Sequence, residues 1–172
     1  ADKLSDKIYE GFLAKHNLTI YEGYGTTETS PVISTCFPGD HKMGSIGRPI
    51  PNTQVKILDI HTDELLPPNK EGKIMVKGDL VMEGYLHDLE QTTLRIRNGW
   101  YDTGDIGLMD EDGYLFHRGR LKRFVKIGGE MVSLVNVEEH LSELLPDDVI
   151  CCVVDIPNPT KGADVVAAVA NG

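Results

Sequence analysis

No stretch of this sequence approaches the roughly 20 consecutive apolar residues that cross a bilayer as a helix, and the opening run Ala1 to Lys7 lacks the apolar centre of a secretory leader. Cysteine is scarce. There are three, an odd number, and Cys151 and Cys152 lie inside the apolar run Val149-Ile150-Cys151-Cys152-Val153-Val154. That placement reads as a buried strand in a reducing cytoplasm rather than a disulfide frame. The six histidines are scattered, with no His-Glu-x-x-His or Cys-x-x-Cys spacing, so a protein-built zinc or iron site is not expected. Positive charge is short as well: 17 Lys and Arg stand against 27 Asp and Glu, a formal net charge of −10. Nucleic acid is excluded as a main partner, because phosphate binding needs a basic face. Internal repeats and low-complexity tracts are also missing.

What is present is an ordinary globular composition, 40% apolar and 26% charged over 172 residues. That length holds one domain, or one and part of another. Ser5 is a helix N-cap ahead of the i,i+4 pairs Ile8/Phe12 and Tyr9/Leu13, which predicts a helix ending near Asn17. A strand is expected over Leu18 to Tyr21, running into the polar turn Glu22-Gly23-Tyr24-Gly25-Thr26-Thr27-Glu28. From about Gly44 the pattern changes to short strands, with Val55/Ile57 and Ile74/Val76 on one face, lysines among their neighbours, and Asp110-Glu111-Asp112-Gly113 as a hairpin turn. After Arg120 it changes again. A strand at Phe124 to Ile127 is followed by paired glycines and a helix with Leu134, Val137, Leu141, Leu144 and Leu145 on one stripe, stopped by Pro146. Strands at Val149 to Val154 and Val165 to Ala170 complete the pattern, the last without an evident partner.

The expected class is α+β: the end of an α/β large domain (1–43), a small β-barrel subdomain (44–120), then an incomplete α+β C-terminal domain (121–172).

Three segments carry chemistry. Tyr24-Gly25-Thr26-Thr27-Glu28 offers an aromatic face, a glycine that lets backbone approach a ligand, two hydroxyls and a carboxylate that suits Mg²⁺. In Trp100-Tyr101-Asp102-Thr103-Gly104-Asp105 the strand is expected to break at Gly104 and present a carboxylate to vicinal hydroxyls such as those of a ribose. Gly119-Arg120-Leu121-Lys122-Arg123 places cations between two folding units. Each alone has a plain structural alternative: a capped turn, a polar β-turn, a solvated basic linker.

Together and in this order, the segments resemble the acyl-adenylate-forming superfamily of acyl-CoA synthetases, peptide-synthetase adenylation domains and firefly luciferase. Gly44-Ser45-Ile46-Gly47-Arg48-Pro49, Gly72-Lys73-Ile74, Met82-Glu83-Gly84-Tyr85 and Lys126-Ile127-Gly128-Gly129-Glu130 extend the resemblance over essentially the whole chain. It implies ATP and Mg²⁺ as cofactors. By similarity Tyr24 would pack on the adenine with Gly25 beside it, Thr27 would contact the α-phosphate, and Glu28 would ligate Mg²⁺; Thr27 and Glu28 are thus the catalytic candidates. Asp105 would grip the ribose, Arg120 would support the nucleotide, Lys122 would be the interdomain hinge, and Gly128 and Gly129 would swing toward the thiol channel.

Lys122-Arg123-Phe124, Lys126 to Leu134 and Gly99-Trp100-Tyr101-Asp102-Thr103-Gly104-Asp105 also look like the acyl-[acyl carrier protein] synthetase half of bifunctional 2-acylglycerophosphoethanolamine acyltransferases. The implied activity is an ATP-dependent fatty acid ligase transferring the acyl group to acyl carrier protein or CoA in the cytoplasm. Membrane contact would come only through other parts of a parent protein. The alternatives are an acyl-CoA synthetase or amino-acid adenylation domain and, in another class, a non-catalytic nucleotide or carrier-protein binding module. The family's Ser/Thr/Gly-rich loop ending in Pro-Lys-Gly does not occur, and its late catalytic lysine would fall beyond Gly172, so the 172 residues by themselves are expected to be inactive.

Overall fold

The computed structural model describes residues 4–146 and 148–171, a mixed α+β chain in two compact units divided between Arg118 and Gly119.

In the first unit, α1 (Asp6–His16) starts at Ser5, whose Oγ accepts the Ile8 N–H at 3.3 Å, and stops at Asn17, which turns left-handed (φ 51°) and donates its N–H to Leu13 O at 2.8 Å. Both ends are those the sequence predicts. The strand expected over Leu18 to Tyr21 is not there: pairing begins only at β1 (Gly23–Tyr24). β-propensity favours an extended backbone, but a ladder needs a neighbour, and among the described residues nothing pairs with Leu18 to Tyr21. β1, β2 (Ser34–Thr35) and β3 (Arg48–Pro49) form a short antiparallel ribbon.

The main sheet has five strands: β4 (Thr53–Leu58), β5 (Gly72–Gly78), β6 (Ile96–Arg97), β7 (Trp100–Met109) and β8 (Leu115–Arg120). The order is β4-β5-β7-β6, with β8 also on β7, and the sheet curls into a half-barrel. Register pairs Val55 with Val76 and Ile57 with Ile74, so alternation sends these side chains inward while Lys56 and Met75 form the intervening pair. Ile57, Ile74, Val76 and Leu115 share one core with Tyr24, Ile33 and Ile46. The Gly44 to Pro49 segment is stitched to β8 by Ile46 N–H to Leu115 O and Leu115 N–H to Gly47 O, both 2.9 Å. The short helix α2 (Leu89–Arg95) precedes β6. The Asp110 to Gly113 turn joins β7 to β8: Asp110 Oδ1 accepts the Asp112 and Tyr114 N–H groups at 3.0 and 2.9 Å, a carboxylate doing for the turn what a further peptide would.

In the second unit, a single 3₁₀ turn, Leu121–Arg123, leads into the hairpin of β9 (Phe124–Ile127) and β10 (Glu130–Ser133). Ser133 then caps α3 (Leu134–Leu144) by accepting the Asn136 N–H at 3.2 Å. Leu134, Val137 and Leu141 face the core with Val125, Val153 and Ala163. Leu144, the last residue of the helix, does not; it is 82% exposed.

The last two strands, β11 (Val149–Asn158) and β12 (Gly162–Asn171), pair with each other along their full length from Val149↔Asn171 to Asn158↔Gly162. The final strand therefore has a partner after all, and α3 is followed by a hairpin. Sequence alternation had no means of revealing this, since it marks faces and not neighbours. The Val149 to Val154 run is also not uniformly buried. Val153 is inaccessible whereas Cys152 is exposed and Cys151 half-buried, as strand geometry requires of adjacent residues.

Candidate active site

The site in the first unit is built around a distortion of β7. Lys73 pairs with Ile106 and Met75 with Asp102, so the single residue Ile74 of β5 stands opposite Thr103, Gly104 and Asp105. The strand does not break at Gly104, as expected from sequence; it bulges. Gly104 takes φ 75°, which an L side chain rarely adopts. Three hydrogen bonds fix the bulge: Thr103 Oγ1 to Ile74 O (2.9 Å), Gly104 N–H to Asp102 Oδ1 (2.9 Å) and Asp105 N–H to Thr103 Oγ1 (3.1 Å). Bulges re-aim side chains, and this one turns Asp105 inward to 4% exposure.

Buried carboxylates require partners. Asp105 Oδ2 accepts the Tyr24 hydroxyl at 2.6 Å, and His117 Nε2 of β8 stands 3.7 Å from Oδ1. The rings of Tyr24 and His117 are 5.5 Å apart and tilted by 34°. Tyr24 is 8% exposed. Burial first, and the negative charge of Asp105 second, push its hydroxyl far above the usual phenol range, so it remains a proton donor at physiological pH.

Glu28 and Thr27 sit on the 3₁₀ turn Thr27–Thr29 between β1 and β2, Thr27 exposed and Glu28 half-buried. Tyr85 donates its hydroxyl to Glu28 Oε1 at 2.8 Å, and Met82 N–H to Glu28 O (2.9 Å) ties the same loop to the turn. Partial burial pushes the Glu28 carboxyl up, but hydrogen bonds from its own backbone N–H and from Tyr85, Thr26 and Tyr101 outweigh it and hold the group below its ordinary value. Glu28 is thus a fixed, ionised oxygen donor. β7 serves both carboxylates, carrying Asp105 to Tyr24 and Tyr101 to Glu28.

A Cβ at Gly25 would lie 1.6 Å from the Pro31 carbonyl oxygen, so the loop's own backbone requires glycine there.

Among the described residues no group of three or more His, Cys, Asp or Glu side chains is assembled to hold a metal ion. A single ionised carboxylate suits Mg²⁺ that arrives with phosphate oxygens, the usual way this ion is held. Glu28 fits that role.

The remaining candidates belong to the second unit. Arg120 is exposed at its start, and Lys122 is exposed on the 3₁₀ turn. Gly128 and Gly129 form the two-residue tip of the β9–β10 hairpin with φ 58° and 101°, the combination of a type I′ turn. The Gly128 N–H donates to Lys161 O at 3.0 Å.

Three contributors escaped sequence reasoning. Tyr85 closes Met82-Glu83-Gly84-Tyr85 and Tyr101 lies inside the Asp105 segment; both are motif members to which the sequence alone assigns no role. His117 had no motif at all, and only strand alternation, which puts it on the same side of β8 as the buried Leu115 and Gly119, could have singled it out.

A family profile described as "AMP-binding enzyme" matches residues 1–86. 4-Coumarate–CoA ligase 1 of Petroselinum crispum is 40% identical over 148 residues, 82% of this chain and 27% of that protein. A long-chain-fatty-acid–CoA ligase of Bacillus subtilis is 40% identical over 151 residues, 87% of this chain and 27% of that protein. Among solved structures, ATP-bound MatB from Rhodopseudomonas palustris superposes with a TM-score of 0.87 at 31% identity, covering 100% of this chain and 34% of that one. The chain thus spans about a quarter of the length of the curated relatives it matches.

Proposed function

Since the chain belongs to the AMP-binding enzyme family, we propose that it is the nucleotide-gripping and hinge-bearing segment of a longer ATP-dependent ligase, one that joins a carboxylic acid to a thiol through an acyl adenylate. The observation that carries this reading is the pairing of two carboxylates across β7, Asp105 under the Tyr24 hydroxyl and Glu28 under that of Tyr85. Asp105 supplies acceptors for the two hydroxyls of a ribose. Glu28 holds Mg²⁺, which when bound neutralises phosphate charge as the acid attacks the α-phosphate. Thr27, exposed beside Glu28, offers a hydroxyl to the same phosphate. Arg120, Lys122 and the Gly128-Gly129 tip belong to a unit that changes orientation between adenylation and thiol transfer, which lets one pocket serve two transition states.

The acid is proposed to be a fatty acid, in keeping with the long-chain-fatty-acid–CoA ligase among the relatives. For the acceptor, the similarity of residues 122–134 to acyl-[acyl carrier protein] synthetases favours acyl carrier protein. CoA is the second reading, favoured by relatives that are themselves CoA ligases.

The test uses the full-length protein in ATP–pyrophosphate exchange with a panel of fatty and aromatic acids. Acid-dependent exchange is expected. Asp105→Ala should weaken ATP by more than Glu28→Gln does, since it removes two charge-assisted hydrogen bonds of roughly 1.5–3 kcal/mol each, whereas Glu28→Gln should lower turnover and alter the Mg²⁺ dependence. Equal nucleotide affinities would show the ribose site to be elsewhere. Nucleotide binding with no exchange for any acid would favour the non-catalytic module.

A further inference from the structure

The backbone under Glu28 is fixed from two directions. Within the turn, Thr29 Oγ1 accepts the Thr26 N–H at 3.1 Å and donates to Thr26 O at 3.0 Å; from outside it, the Met82 N–H donates to Glu28 O at 2.9 Å. A fixed backbone does not settle where a glutamate's oxygens face, since three side-chain torsions remain. The Tyr85 hydroxyl, from 57 positions away, donates to Glu28 Oε1 at 2.8 Å. Tyr85 is itself anchored on the side away from the turn. Its N–H donates to Thr92 Oγ1 at 2.9 Å, Thr92 Oγ1 donates to Asp88 O at 2.8 Å, and Asp88, the N-cap of α2, donates its own N–H to Tyr85 O at 3.2 Å. We infer that Tyr85 is a positioning residue for Glu28: its hydroxyl, braced on α2, sets the rotation of the carboxylate and so fixes where a divalent cation arriving with the nucleotide is received. This rests on the reading of Glu28 as the Mg²⁺ carboxylate.

Three physical points support the inference. A carboxylate has two oxygens and about four lone-pair sites, so accepting the phenol leaves acceptors for a cation. A charge-assisted O–H···O⁻ bond is strong and directional, and its donor is held by a loop tied at one end to the Glu28 turn and at the other to α2. Mg²⁺ demands near-ideal octahedral geometry whereas Ca²⁺ tolerates irregular ligand sets, so a carboxylate of set rotation serves the smaller ion more. Donor and carboxylate are in place before the nucleotide arrives, which spares an ordering cost on association.

The experiment titrates ATP into the full-length wild type, Tyr85→Phe, Glu28→Gln and the double variant by calorimetry, each with Mg²⁺, with Ca²⁺ and with EDTA. Tyr85→Phe keeps the ring and deletes only the hydroxyl. In Tyr85→Phe the affinity gained from Mg²⁺ should fall about tenfold, the gain from Ca²⁺ should fall by less, and binding in EDTA should be unchanged. Adding Tyr85→Phe to Glu28→Gln should bring no further loss. A wild-type gain from Mg²⁺ in Tyr85→Phe would overturn the inference. So would an equal loss in EDTA, the mark of a merely structural hydroxyl, an equal loss with both cations, or full additivity in the double variant. If Tyr85→Phe does not fold, Thr92→Val, which removes the acceptor of the Tyr85 N–H, carries the same expectation, and a wild-type gain from Mg²⁺ there would overturn the inference equally. Wild type that binds ATP with no gain from Mg²⁺ would remove the metal reading of Glu28 and the inference with it, whereas wild type that binds no ATP would remove the proposed function.

Discussion

Val153 is fully buried in the middle of β11, and its N–H and C=O point to the strand's free edge. Both are met by side chains. Glu138 Oε2 accepts the Val153 N–H at 2.7 Å, Arg123 Nη1 donates to the Val153 carbonyl at 3.1 Å, and Arg123 Nη2 donates back to Glu138 Oε2 at 2.9 Å. The pair substitutes for one residue of a neighbouring strand and ties the 3₁₀ turn, α3 and β11 together. Glu138→Ala removes the acceptor from a buried N–H, a loss of roughly 1–3 kcal/mol. The Arg123–Glu138 ion pair itself adds under about 1 kcal/mol, because both side chains, at 33% and 29% exposure, are partly solvated. The expected destabilisation is therefore about 2–3 kcal/mol, and Glu138→Gln, which keeps an acceptor oxygen, should lose about half of that. Urea unfolding of the full-length protein, followed by hydrogen exchange at Val153, measures both. If Glu138→Ala came within about 0.5 kcal/mol of wild type, or the Val153 amide stayed equally protected, the side-chain clip would be incidental and the reasoning wrong.

Gly25→Ala places a methyl group 1.6 Å from Pro31 O, so the Thr27–Thr29 turn must move. A loss of about 3 kcal/mol is expected by thermal melting, together with loss of exchange activity, and a variant as stable as wild type would refute it. The Tyr24 and Tyr101 hydroxyls both keep their protons above the ordinary value of 10.0. Their contribution to stability is therefore whole below about pH 10 and is lost as pH rises beyond it. Glu28, held below its ordinary 4.5, acts in the opposite sense, its contribution whole above that pH and lost as pH falls. Urea midpoints measured against pH should fall at both extremes, and Tyr24→Phe should flatten the alkaline limb; an unchanged limb would contradict the burial of that hydroxyl. Lys122→Pro fixes φ on the 3₁₀ turn and pushes Leu121 toward extended backbone. Pre-steady-state assays of the full-length protein should find acyl-adenylate formation retained and transfer to the thiol lost, and equal effects on both steps would remove Lys122 from the hinge.

Local chemistry alone determined a good part of this protein. The Ser5 and Asn17 caps of α1, the Val55/Ile57 and Ile74/Val76 faces and the Asp110 to Gly113 turn all depend on neighbours within a few residues, so their patterns are written in the chain. The ordered motifs likewise carry the family resemblance in the sequence itself. What only the tertiary structure decided are the encounters between distant segments. Leu18 to Tyr21 has strand propensity but finds no strand partner among the described residues, while Val165 to Ala170 finds one in β11; pairing is a property of two segments and alternation describes only one. Gly104 signals a special backbone, yet whether it breaks or bulges the strand depends on Ile74 across the ladder. Tyr24, Tyr85 and His117 acquire roles because folding brings a hydroxyl or a ring to a carboxylate 81, 57 or 12 positions away, and no periodicity in the sequence encodes a contact of that range.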